Sequence, residues 1–188
     1  MPTVGCKVEA MAGAGRCGSV CARGVTLIEL LTTLAVLVIT LTLAAPAFTT
    51  FLRSNRLQAA QSELVASLML ARSEAARQGT PVGVESLQPL ADGGFAHGWR
   101  VWVDANGDGA FDNDNNEVVV REVPGRGAPL TITASPSQRG VVFNPSGFLV
   151  GGSAVTFDLC GQPGVAKGYR VLLELVGLAD TTEVTTCP

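Results

Sequence analysis

The 188-residue sequence predicts an α+β fold: one long N-terminal helix, apolar in its first half and amphipathic in its second, packed against a C-terminal antiparallel β domain. Three observations predict it. From Leu30 to Leu52 there is no charged residue; apolar residues then recur at spacings of three and four as far as Ala75; and beyond Pro81 the chain breaks into short β-rich runs separated by Gly, Pro, Asn and Asp.

The first element, residues 1–24, carries Lys7, Arg16 and Arg23 against a single acid, Glu9. The positive-inside bias keeps such a segment in the cytoplasm and sends the chain beyond the apolar run to the outside. The second element, 25–52, is expected to be a transmembrane helix. Its charge-free residues, at roughly 1.5 Å each, reach about 34 Å, enough to cross a bilayer core. An apolar fraction of 47% over the whole chain agrees with a protein that is partly out of water. The alternative is a secretory signal peptide, but its apolar region spans only about 7–15 residues and ends in a small-residue cleavage site. Ala44-Ala45-Pro46-Ala47 is a poor version of that site, because proline interrupts it. Glu29 lies a few residues into the apolar run. An ionisable group costs about 2.5–3.5 kcal/mol at a membrane helix centre and less near an end, so Glu29 is expected to have a partner and a function.

The third element, 53–79, continues the helix outside the membrane. Leu57, Ala60, Leu64, Leu68, Ala71 and Ala75 form an apolar stripe, with Arg53, Arg56, Glu63, Glu74 and Arg77 between them. One helix is expected from about Thr26 to Gln78, with Gly79 as its C-cap and Pro81 preventing continuation. The fourth element, 80–188, holds eight predicted strands: 82–87, 99–104, 117–123, 130–134, 141–144, 154–160, 169–176 and 183–186. These pack on the stripe.

A net charge of -3 gives no overall pull toward nucleic acid or anionic lipid. Cys6, Cys17 and Cys21 precede the membrane segment, whereas Cys160 and Cys187 lie on the outer side, where oxidation is permitted. A disulfide between Cys160 and Cys187 is expected, the alternative being two free thiols. Asp104-Ala105-Asn106-Gly107-Asp108-Gly109 and Asp112 resemble a calcium loop, with oxygen ligands at alternate positions (Asp104, Asn106, Asp108, Asp112) and glycine at the sixth. Asn115 stands at the twelfth position, where a bidentate carboxylate belongs, so Glu117 would have to substitute. The same residue types build a solvated β turn, which is the preferred reading, and no metal or other cofactor is assigned. Trp99 and Trp102 fall on opposite faces of one strand, one expected in the core and one at a contact surface. His97 is the sole histidine and has no nucleophile, P-loop or paired-ligand motif beside it, so no enzymatic activity is expected.

The string Arg23-Gly24-Val25-Thr26-Leu27-Ile28-Glu29-Leu30-Leu31 resembles the processing site of type IV prepilins and type II secretion pseudopilins. The resemblance implies cleavage by a prepilin peptidase between Gly24 and Val25, N-methylation of Val25, and a role for Glu29 in subunit assembly through the free amine of a neighbouring subunit. Phenylalanine is the usual first residue, so Val25 is a departure. Pro46 matches the proline that pilins often carry at this distance, and is also readable as an ordinary membrane-helix kink. The 24-residue leader is long for the family; a start at Met11 would leave 14 residues.

Residues 70–82 resemble the helix end of the GspH/FimT family of minor pseudopilins, and 98–109 and 141–147 resemble later blocks of it. The resemblance implies a pilin-like fold and a subunit of a type II secretion pseudopilus or a type IV pilus, priming the filament or sitting near its tip. Its implied partners are other pilins or pseudopilins, the prepilin peptidase, the inner-membrane assembly platform and membrane lipid. It also implies a single-pass inner-membrane protein, with the N-terminus cytoplasmic and the C-terminal domain periplasmic before assembly. Some FimT-like minor pilins bind DNA through an arginine-rich C-terminal loop. Residues 180–188 hold no Arg or Lys and Arg126 is isolated, so DNA is not expected as a partner.

Overall fold

The computed structural model describes residues 24–89, 94–113, 116–126, 129–161, 167–185 and 187, and of 45–47 the backbone only. The leader residues 1–23, with Cys6, Cys17 and Cys21, lie outside the described residues, as does Asn115. The chain divides between Ala44 and Ala45 into two compact units.

A single helix, α1, runs Leu27–Gln78, continuous through Pro46. Its first part, Leu27–Ala44, has a mean hydropathy of 2.3, and none of it is buried within the chain. In the second unit, Leu57, Ala60, Leu64, Leu68, Ala71 and Ala75 are all buried, the stripe that period 3.6 places on one face. Gly79 ends the helix at φ +67, where a Cβ would be strained, and its N–H donates to the Ala75 carbonyl at 3.0 Å.

Eight strands come after it: β1 Val82–Ser86, β2 Gly98–Val103, β3 Val118–Pro124, β4 Thr131–Ser135, β5 Gly140–Phe143, β6 Val155–Cys160, β7 Gly168–Leu173 and β8 Ala179–Val184. They form two antiparallel four-stranded sheets, in the orders β3-β2-β1-β5 and β4-β6-β7-β8. The pairing of β2 with β3 shifts register between Val101 and Trp102, which leaves Val120 as the extra residue of a bulge. The strand expected at 169–176 stops at Leu173. Gly177 N–H donates to the Glu174 carbonyl at 2.8 Å and closes a turn there. The strand expected at 183–186 begins earlier, at Ala179, because its pairing with β7 supplies the extension that its polar sequence does not advertise.

The helical stripe joins the inner faces of both sheets in one core: Val82, Val84, Trp99, Val101 and Phe143 from the first, Ile132, Val155, Phe157, Leu159, Val171 and Leu173 from the second. A short 3-10 helix, Gly94–His97, adds Phe95, whose ring meets Phe157 edge-on at a centroid distance of 5.2 Å. His97 at its end is exposed. Trp99 and Trp102 do point to opposite faces, yet both are buried. Trp99 enters the main core, whereas Trp102 lies under the β2–β3 loop against Phe111, so neither indole forms an exposed contact surface.

Candidate functional site

Three places hold the residues that the sequence marks out: the start of α1, the β2–β3 loop, and the end of the second sheet.

At the start of α1, Val25 is exposed and Glu29 sits in the first turn. Thr26 and Glu29 form a reciprocal cap: the Glu29 N–H donates to Thr26 Oγ1 at 3.3 Å, and the Thr26 N–H donates to Glu29 Oε2 at 3.4 Å. This is a capping box, and it satisfies two amides that a helix start leaves without partners. It also turns the Glu29 carboxylate back toward Val25. Threonines further along return their hydroxyls to the helix: Thr32 to the Glu29 carbonyl at 3.0 Å, Thr33 to Leu30 at 2.9 Å, Thr40 to Leu37 at 2.9 Å. These hydroxyls are thereby matched within the helix itself. Leu27, Ile28, Leu34, Val36, Ile39 and Leu43 remain exposed along it.

The β2–β3 loop closes on Asp104, which is 1% exposed. Gly107 N–H donates to its Oδ1 at 2.7 Å and Gly109 N–H to its Oδ2 at 3.0 Å. Both glycines have φ +79, the left-handed conformation that lets the backbone curl around one carboxylate. Asp108 accepts from the Asn106 amide at 2.8 Å and from the Ala110 N–H at 2.8 Å. Of the calcium candidates, Asp104 and Asp108 come together with Glu117, one oxygen from each lying within 4.8 Å of the others. Asn106 instead holds Asp108, and Asp112 gives its N–H to Glu117 Oε2 at 2.7 Å.

Burial raises the Glu117 pKa above its ordinary value, the Asp112 N–H opposes that shift, and the charges of Asp112, Asp104 and Asp108 add to it. Three convergent carboxylates suit a hard cation, although calcium takes six to eight oxygens in total. The amides of Gly107 and Gly109 meet the Asp104 carboxylate and that of Ala110 meets Asp108.

Glu85 is a buried acid beside this region that sequence reasoning missed. It is 6% exposed, accepts the Phe111 N–H at 3.2 Å and pairs with Arg139 at 2.8 Å. Phe111 in turn lies 4.3 Å below the Arg100 guanidinium and edge-on to Trp102. A lone acid within the apolar run Val82–Ser86 was the available signal, since a buried carboxylate is kept only with partners.

At the end of the second sheet, Cys160 and Cys187 form a disulfide, with Cα atoms 5.8 Å apart. It ties the chain beyond β8 to β6.

The arginines of the second unit are largely committed to acids or carbonyls. Arg121 and Arg126 share Glu63 on α1, at 3.2 and 2.7 Å. Arg170 makes a two-point pair with Asp158, at 2.6 and 3.1 Å. Arg77 pairs with Glu74 at 2.6 Å, and Arg72 donates to the Gly147 carbonyl at 3.1 Å. Arg126, the basic residue considered for phosphate contact, thus pins the β3–β4 connection to the helix.

The family model described as type II transport protein GspH matches residues 60–177. Crystal structures of the type IV minor pilin FimU of Pseudomonas aeruginosa share the fold. One, in space group P21, has a TM-score of 0.59 and 24% identity over 73% of this chain and 99% of FimU. The other, in space group P65, has a TM-score of 0.57 and 23% identity over 70% and 100%. No curated protein matches significantly.

Proposed function

The chain belongs to the GspH family of minor pilins and pseudopilins, and from that premise we propose that it is a filament subunit, drawn from the inner membrane through its N-terminal helix. The observation that carries the reading is the division of labour along α1. Beyond Ala44 the helix buries its apolar stripe in the domain, whereas Leu27–Ala44 buries nothing inside its own chain. An apolar helix of that length needs lipid first and other helices afterwards.

In this reading a prepilin peptidase cuts between Gly24 and Val25 and methylates Val25. The helix then spans the inner membrane, with the outer unit in the periplasm, where the Cys160–Cys187 disulfide is stable. The assembly platform passes the subunit into a type II secretion pseudopilus or a type IV pilus, in its priming or tip complex. Glu29, costly in lipid, pairs with the ammonium group of a neighbouring subunit. The capping box already aims its carboxylate toward the helix start.

The test is a pair of variants in the host. Gly24→Leu is expected to leave an uncleaved precursor in the membrane, and Glu29→Leu to be cleaved normally yet be missing from sheared filaments. Normal cleavage of Gly24→Leu, or normal incorporation of Glu29→Leu, would overturn the assignment. DNA binding of the FimT-like kind is the second reading. The absence of Arg and Lys from residues 180–188, where an arginine-rich loop would have to lie, weighs against it.

A further inference from the structure

No further inference is drawn: the strongest candidate, the acidic cluster of Asp104, Asp108 and Glu117 in the β2–β3 loop, rests on the carboxylates alone, with no second observation among the described residues that points to a ligand.

Discussion

Replacing Gly83 with alanine tests whether the outer face of the first sheet is a sealed second layer. Gly83 pairs with Trp102 on β2 and Val142 on β5. Its φ is not in the left-handed region, so alanine fits the backbone; such a change ordinarily stabilises by about 0.4–1 kcal/mol through the unfolded chain. The structure reverses that sign. A Cβ built on Gly83 lies 2.6 Å from Trp102 Cε2 and Nε1 and 2.8 Å from Cζ2. Normal carbon contacts need about 3.5–4 Å, so the indole must move by about 1 Å. It has little room, being 1% exposed and edge-on to Phe111 at 5.7 Å. Overpacking of this kind costs about 1–3 kcal/mol.

Thermal unfolding of the protein in detergent, followed by tryptophan fluorescence, should show Gly83→Ala melting at least about 3 °C lower. In a Trp102→Leu background the same change should cost far less, a coupling on the order of 1 kcal/mol. An equal loss in both backgrounds, or a gain in the parent, would refute the packing argument.

Other perturbations read different parts of the fold. Glu117→Gln should raise the melting temperature at pH 7 in chelator-containing buffer. The folded-state pKa of Glu117 is raised, so the protonated form favours folding and that contribution is lost as pH rises through the folded pKa; the gain from glutamine should fade below about pH 4.5, and a gain independent of pH would exclude the electrostatic cause. Breaking the disulfide with Cys160→Ser and Cys187→Ser together, across a separation of 27 residues, should cost about 3–4 kcal/mol, checked by denaturant unfolding with and without reductant. Leu68→Ala, at a fully buried position of the helical stripe, should cost about 2–5 kcal/mol in the same assay, and a loss under 1 kcal/mol would contradict its burial.

The helix was legible in the sequence because its period is internal to the chain. All six stripe residues from Leu57 to Ala75 are buried, and Gly79 caps where Gly-Thr-Pro punctuates the pattern. The strands were legible where β-branched and aromatic residues alternate, as in Trp99 to Val103. Alternation fails for Ala179-Asp180-Thr181-Thr182, an edge strand made by its partner and not by its own apolar side chains.

Trp102 shows a second limit. A period of two separates its face from that of Trp99 but says nothing of a loop that folds back over it, and that closure depends on Glu85, 26 residues from Phe111 in sequence. The acidic loop was visible as a pattern of oxygen ligands. That Glu117 joins Asp104 and Asp108 while Asp112 serves by its backbone depends on how the loop returns to β3. The Thr26-to-Glu29 capping spacing lay in plain sight at the start of α1, within the stretch that also resembles a processing site.

Processing as a pilin-type subunit is tested at its root by the intact mass of the protein purified from the membrane of its host. The expected chain begins at Val25, heavier by about 14 mass units for one N-methyl group and lighter by about two for the oxidised cysteine pair. A chain that keeps residues 1–24, or one that begins near Ala47, would contradict that processing and with it the filament reading.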